Sequence, residues 1–152
     1  TLFLRIRACL KYAGAMASLE NFMRKPISSG RPWEDIAGYS RAVRVGNMIE
    51  IGLTSPSAPD GTILHAGDVY LQTQLSLRIV GEALEAAGAS FGDVIKSNIM
   101  MLDTNRWAEA AKAHAEVFSE IRPALSFVGV SGFFDPSIDV EVEVTAYIDR
   151  AA

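Results

Sequence analysis

The stretch between Asp68 and Gly88 constrains the fold most, because it has the pattern of a long amphipathic helix. Apolar or small residues recur at spacings of three and four, which places their side chains on one face of a helix. Asp68 can cap the N-terminus, and Gly88 can end the helix in the left-handed conformation. The sequence therefore predicts a core-facing stripe made of Tyr70, Thr73, Leu77, Val80, Leu84 and Ala87.

Strand patterns lie on both sides of this helix. The turn dipeptide Gly46-Asn47 predicts a tight hairpin between strands at 41–45 and 48–53. A strand at 94–102, a second helix at about 105–119 and strands at 124–130 and 139–148 follow. The second helix is expected to face the core with Trp107, Ala111, His114 and Phe118. The order ββαβαββ favours an α+β fold, with two helices on one face of a mixed sheet.

The last strand alternates most clearly. Its valines fall on one face and its polar side chains on the other: Val140, Val142 and Val144 against Glu141, Glu143 and Thr145. The face opposite the helices then needs water, a partner, or both.

The N-terminal part is treated separately. Residues 1–23 are interpreted as an extension that could be partly non-native, with Met16 as a candidate original start, and 24–152 as a single domain. Arg5, Arg7 and Lys11 interrupt the apolar stretch, which argues against a membrane span and makes a signal peptide the weaker alternative. Prolines and Gly30 predict a loop or irregular edge segment over 23–34.

Composition excludes several classes of function. The net charge of −4 and the pI of about 5.1 argue against broad capture of nucleic acid, which needs a basic stripe. Cys9 is the only cysteine, so no intrachain disulfide is expected, and a cytoplasmic location fits. One cysteine with His65 and His114, on different elements, argues against a zinc site.

Four motifs in order then carry a resemblance. Residues 37–47, AGYSRAVRVGN, are similar to IGPYSQAVxxGN, and 85–96, EAAGASFGDVIK, to EAAGASLDDVVK. The run from Phe118 to Ser126 is similar to FF…PARS, and Glu141-Val142-Glu143 to VEIEAIA. Together these motifs resemble the RidA/YjgF superfamily over roughly 36–148. The resemblance implies a chorismate-mutase-like fold, a homotrimer with a central barrel, and a small-molecule ligand in clefts between subunits, with no metal or cofactor.

The same resemblance assigns site residues. In the family's deaminases the arginine of PARS binds the substrate carboxylate, and the first glutamate of VEIE positions the attacking water. Leu125 stands at the arginine position and Glu141 at the glutamate position. Glu141 is therefore the predicted catalytic residue, and the predicted ligand-binding residues are Tyr39, Arg41, Gly52, Leu53, Leu125 and Phe127.

Each assignment has a simpler alternative. Glu141 and Glu143 could be solvated strand residues, and Tyr39 could pack at an interface. Arg41 could bind an anionic ligand group or form a surface ion pair, and Trp33 could close a cleft or anchor the chain. His114 is expected to be packed, His65 exposed, and Asn98 to form a cross-strand hydrogen bond rather than touch ligand.

Three function classes follow. The first is an enzyme that hydrolyses an imine, enamine or related C=N compound, with Glu141 activating water. The second is a non-catalytic binder that uses the same cleft, and the third is the endoribonuclease activity named for some relatives. Because Leu125 cannot clamp a carboxylate, an ordinary 2-iminopropanoate deaminase is not expected.

Overall fold

The computed structural model describes residues 23–149. The predictions for residues 1–22, including Met16 as a start, lie outside this part. The described elements in chain order are β1 (Lys25–Ile27), α1 (Trp33–Ala37), β2 (Ala42–Val45), β3 (Met48–Thr54), α2 (Val69–Ala86), β4 (Val94–Met101), α3 (Trp107–Phe118), β5 (Ala124–Gly129) and β6 (Val140–Tyr147). Single 3-10 turns at Phe91–Asp93 and Thr104–Arg106 precede β4 and α3.

The six strands form one mixed sheet in the order β1-β2-β3-β6-β4-β5. All neighbours are antiparallel except β4 and β5, which are parallel. Helix α2 packs against β3 and β6, and α3 packs against α2. The predicted α+β fold with a mixed sheet is therefore confirmed. No helix in residues 23–149 is long and apolar enough to cross a membrane.

The local signals for α2 and the hairpin are confirmed in detail. The Asp68 side chain accepts a hydrogen bond from the Leu71 N–H at 2.9 Å. Gly88 has φ +81°, and the Ala89 N–H bonds back to the Leu84 carbonyl, which closes the helix as a Schellman motif. Gly46, with φ +59°, opens the two-residue turn between β2 and β3.

The core lies between the sheet and the helices. Leu77, Val80 and Leu84 of α2 are at most 1% exposed, and they meet the apolar face of β6. Burying such side chains stabilises a domain by roughly 1.5–3 kcal/mol each. The predicted core faces are only partly correct. On α2, Tyr70 is not buried, and its hydroxyl donates to Glu116 at 2.8 Å. The second helix also departs from its prediction. His114 and Phe118 are buried, but Trp107 is 53% exposed, because α3 begins beside the edge strand β5.

The segment over 23–34 corrects the predicted element order. It contains β1, paired with β2, and it leads into α1, so one strand and one short helix precede the predicted ββαβαββ series. The sequence pattern did not predict this strand because it contains Pro26. Proline cannot donate a backbone hydrogen bond to a neighbouring strand, so it is tolerated only at an edge or bulge. β1 is the edge strand on this side of the sheet.

The sheet face opposite the helices carries polar side chains. Asn98 donates a hydrogen bond to Glu143 at 2.7 Å, which is the predicted cross-strand contact. Thr145 donates to Glu50 at 2.9 Å on the same face. The alternation of β6 thus places Glu141 away from the core, in position to border a cavity.

Candidate functional site

One cavity of about 490 Å³ lies where α1 and its flanking loops meet β3 and β6. This volume is in the range that accommodates a small organic molecule. Its wall combines aromatic and aliphatic side chains with hydroxyl groups, two guanidinium groups and one carboxylate. The lining residues are Arg31, Trp33, Ala37, Tyr39, Arg41, Gly52, Leu53, Thr54, Ser55, Ser57, Ile79, Phe134 and Glu141.

Most of the predicted site residues meet at this cavity. The hairpin register sets Ala42 opposite Ile51, so that the residues before β2 lie beside the end of β3. Strand β6 follows as the next neighbour of β3 and contributes the carboxylate. The predicted residues that line the cavity are Tyr39, Arg41, Gly52, Leu53 and Glu141.

Arg41 is a buried cation in the cavity wall, only 6% exposed. Its Nη1 donates to the carbonyl oxygens of Gly52 and Leu53 at 3.2 and 2.7 Å and to Thr54 Oγ1 at 3.1 Å. Its Nη2 donates to the Tyr39 hydroxyl at 3.2 Å. Such burial and bonding are not those of a surface ion pair.

A backbone irregularity makes these contacts available. The register between β3 and β6 shifts between Ile51 and Thr54, as at a β-bulge. The two carbonyl groups in this stretch point to Arg41 instead of completing the ladder, and the Arg41 Nε remains buried without a partner in the described residues. Residues Gly52 and Leu53 therefore shape the site through their backbone.

Glu141 is the only carboxylate in the lining, and it is 7% exposed. It accepts a hydrogen bond from the Ser55 hydroxyl. Burial raises the pKa of the Glu141 carboxyl above its ordinary value, while the Ser55 hydrogen bond and the charge of Arg41 oppose this rise. A buried carboxylate with a raised pKa is able to take a proton from water.

Arg31 is a lining residue that the sequence reasoning did not assign. It is 8% exposed, and it holds Ser57 with two hydrogen bonds, from Nε to Oγ at 2.8 Å and from Nη2 to the carbonyl oxygen at 2.9 Å. Burial, and then the charge of Arg41, lower the pKa of Arg31. Arg31 lies in the segment over 23–34 that also contains Trp33, which was the only signal in the sequence. Its hydrogen-bond partner Ser57 lies 26 residues away.

Glu34 fixes the segment that carries Arg31. Its carboxylate accepts hydrogen bonds from the Ser28 hydroxyl, from the Ser29 N–H at 2.7 Å and from the Ser29 hydroxyl at 2.6 Å. Burial opposes ionisation of Glu34, but these hydrogen bonds outweigh it and hold its pKa below the ordinary value. Glu34 is thus an ionised anchor under the cavity rim.

Trp33 and Phe134 form an aromatic wall of the cavity. Their ring centroids are 5.2 Å apart and the rings meet edge to face at 66°. Gly61 has φ +94°, and a Cβ there would lie 3.1 Å from the Trp33 ring, so the chain passes this ring closely. The indole therefore borders the cavity and is also seated against the chain.

Leu125 and Phe127 lie outside the cavity. They are on β5, at the opposite edge of the sheet, in register with Ser97 and Ile99 of β4. Those partners are buried under the helices, and the Phe127 ring meets the Trp107 ring edge to face, with centroids 6.0 Å apart. One chain does not bring them to Glu141, so their role in the site stays a prediction that requires a second copy.

The two histidines lie on different elements. His114 is 6% exposed and packs on Phe118 at 4.5 Å, as expected for a core residue. His65 is exposed, in a loop between β3 and α2. Residues 23–149 contain no group of three or more metal-binding side chains.

The sequence profile described as Endoribonuclease L-PSP matches residues 30–148, which include the whole cavity wall. The chain belongs to this family. The ordered motifs of the sequence indicated the RidA/YjgF superfamily. The family profile and the similarity to RutC and YjgF proteins confirm that assignment.

Individual members of the L-PSP family are similar over most of their length. A RutC family protein of Pyrococcus horikoshii is 34% identical over 82% of this chain and 98% of its own. The mouse 2-iminobutanoate/2-iminopropanoate deaminase is 29% identical over 84% and 94%. The crystal structure of a YjgF/YER057c/UK114 family member from Mycobacterium tuberculosis has a TM-score of 0.74 and 37% identity, over 83% and 100%.

Proposed function

We propose that this L-PSP family protein binds a small molecule in the cavity described above and hydrolyses a C=N bond in it, with Glu141 as the residue that activates water. The observation that carries the proposal is the buried carboxylate of Glu141, which faces the cavity and has a raised pKa. The name of the mouse relative, an imine deaminase, supports this chemistry.

The reaction needs one base and no redox partner. Glu141 takes a proton from the water as its oxygen attacks the imine carbon, the C=N electron pair moves to nitrogen, and Glu141 returns the proton to that nitrogen. The tetrahedral intermediate then expels ammonia and leaves a carbonyl group. Atoms balance as imine plus water gives carbonyl compound plus ammonia. Ser55 orients the carboxylate through its hydrogen bond.

The proposed assembly is a homotrimer with the cavities at intersubunit clefts. Strand β5 supports it, because within the described residues β5 pairs on one side only, and Leu125 and Val128 are 37% and 41% exposed. An unpaired, partly apolar edge needs a neighbouring surface. In this assembly Leu125 and Phe127 of a neighbouring copy would complete the cleft.

The ordinary substrate of the family is not proposed. Leu125 offers no guanidinium where the deaminases bind the carboxylate of small 2-imino acids, and a charge-assisted contact of that kind is worth roughly 1.5–3 kcal/mol. We expect little acceleration with 2-iminopropanoate and more with imines that carry larger apolar groups, since Trp33 and Phe134 form the wall.

The test uses imines generated in situ from alanine, leucine and phenylalanine by an amino-acid oxidase, with ammonia release followed over time. Glu141→Gln should lower the accelerated rate at least a hundredfold. Glu143→Gln is the matched control, because Glu143 lies two residues on along β6 and bonds to Asn98 instead. Equal rates for Glu141→Gln and the wild type would remove Glu141 from the mechanism.

A non-catalytic binder is the second candidate. It is favoured by the hydrogen bond from Ser55, which already occupies one oxygen of Glu141. Ligand binding without acceleration of any imine would establish this reading. Labelled RNA that stays intact with nuclease-free protein would exclude the third class, ribonuclease activity.

A further inference from the structure

The cavity holds two arginines that no carboxylate neutralises directly. The ion pairs in residues 23–149 are Arg78–Glu82 and Arg106–Glu109, so neither Arg31 nor Arg41 belongs to one. Both side chains are more than nine-tenths buried. Two like charges in a poorly solvated cavity repel each other, and an anion between them would relieve that repulsion.

The hydrogen bonds show which guanidinium is available to a ligand. The Nη1 of Arg41 is used by backbone carbonyls and a hydroxyl, and its Nη2 by Tyr39. Arg31 uses Nε and Nη2 on Ser57, and its Nη1 has no hydrogen-bond partner in the described part of the chain. The two bonds to Ser57 fix the plane of the guanidinium, so its free edge is held in place at the cavity.

The nearby carboxylates do not compete for this edge. Glu34 is engaged by Ser28 and Ser29. Glu141 lines the same cavity, but its hydrogen bond is with Ser55. The cavity wall thus holds two guanidinium groups against one carboxylate.

The rest of the wall selects for an apolar group. Trp33 and Phe134 present an edge-to-face aromatic pair, and Ile79 and Leu53 add aliphatic surface. The space of about 490 Å³ exceeds what a three-carbon acid fills. An occupant that fills it has to bury apolar surface against these side chains.

We infer that the ligand is an organic carboxylate with a bulky apolar or aromatic group, whose carboxylate binds Arg31 and whose apolar group packs on Trp33 and Phe134. The inference rests on the proposed function only in using the same cavity, and it names the substrate class for it. Anion recognition is thereby transferred from the β5 position, Leu125, to the segment between β1 and α1.

The test compares probes that differ in one property. Calorimetric titration measures the dissociation constants of 3-phenylpropanoate, its neutral amide 3-phenylpropanamide, and propanoate. We expect the aromatic acid to bind at least tenfold more tightly than the amide, because only the acid makes a charge-assisted bond. We expect a similar ratio over propanoate, which buries less apolar surface. Equal binding of acid and amide, or no binding of the acid up to 10 mM, would overturn the inference.

Variants locate the contact. Arg31→Gln should weaken the aromatic acid at least tenfold and leave the amide within about twofold. Arg78→Gln is the matched control, because this helix arginine is 71% exposed on its side chain and outside the cavity. If Arg31→Gln does not fold, the acid-to-amide ratio in the wild-type protein still decides the question. Unchanged binding in a folded Arg31→Gln protein contradicts the assignment.

The two proposals can fail separately. Arg31-dependent binding of the acid, with no imine hydrolysed, leaves the ligand class standing and removes the catalytic proposal. Alternatively, hydrolysis could depend on Glu141 while neither Arg31 nor the charge of the probe affects binding. That result would leave the catalytic proposal standing and remove the ligand class.

Discussion

The cavity and the β5 edge lie at two ends of one sheet, and they differ in the charge and burial of their side chains. At the cavity end, Arg31, Glu34 and Arg41 are buried, and each makes two or more hydrogen bonds with neighbouring backbone or hydroxyl groups: the arginines donate and Glu34 accepts. At the β5 end, Leu125 and Val128 are partly exposed. Charge is therefore concentrated at the cavity end, and the position predicted to match the deaminases' arginine carries the apolar Leu125.

This difference changes the meaning of Leu125. Considered alone, Leu125 is predicted to stand where the family's deaminases have a carboxylate-binding arginine. The cavity, at the other end of the sheet, contains a second buried guanidinium besides that of Arg41, namely that of Arg31. The comparison is testable at both ends, and the largest effect is expected where the hydrogen bonds are densest.

Replacing Glu34 should give that largest effect. Glu34→Ala leaves the Ser28 and Ser29 donors without their charged acceptor, which costs about 3 kcal/mol of unfolding free energy in urea denaturation. Affinity for 3-phenylpropanoate should fall as well, because the segment carrying Arg31 loosens. Asp35→Ala, at the exposed neighbouring position, is the control. Equal losses in both variants would show that the cavity end is no more constrained than the surface.

The sequence predicted the parts of this arrangement that depend on local patterns. The cap at Asp68, the turn at Gly88 and the alternation of β6 each follow from a few neighbouring residues. Tyr39 and Glu141 were found through family motifs. Arg31 was not, because its burial depends on Ser57, and β1 was not, because its pairing with β2 is decided at a distance.

Restoring the arginine tests the β5 end. Leu125→Arg should increase the decay of 2-iminopropanoate about tenfold over the wild type, since a charge-assisted contact to its carboxylate is worth that much. Leu125→Gln, which adds a polar group without charge, should give no increase. The rate can increase only if β5 of another copy reaches the cavity. An unchanged rate would therefore contradict the proposed intersubunit cleft.

Two buried groups, Glu141 at the cavity and His114 in the helical layer, should also give opposite pH dependences, with the smallest effects of the series. Burial raises the pKa of Glu141, so the folded protein keeps a proton that the unfolded chain loses above about pH 4.5. Stability at the cavity end therefore falls as the pH rises through that window. Glu141→Gln, which can still accept from Ser55, should remove this loss.

His114, on α3, gives the opposite slope. Burial lowers its pKa, so below about pH 6.5 the unfolded chain binds a proton that the folded protein excludes, and stability falls as the pH falls. His114→Leu should flatten the decrease in Tm between pH 7 and pH 5, because leucine has no group to protonate. Leucine is of similar size, and the change removes a buried Nε2 that has no partner in residues 23–149. His65→Asn, at the exposed histidine with φ +56°, should keep the wild-type slope. If His114→Leu and the wild type lose Tm equally over this range, the packed histidine is not the source of the acid sensitivity.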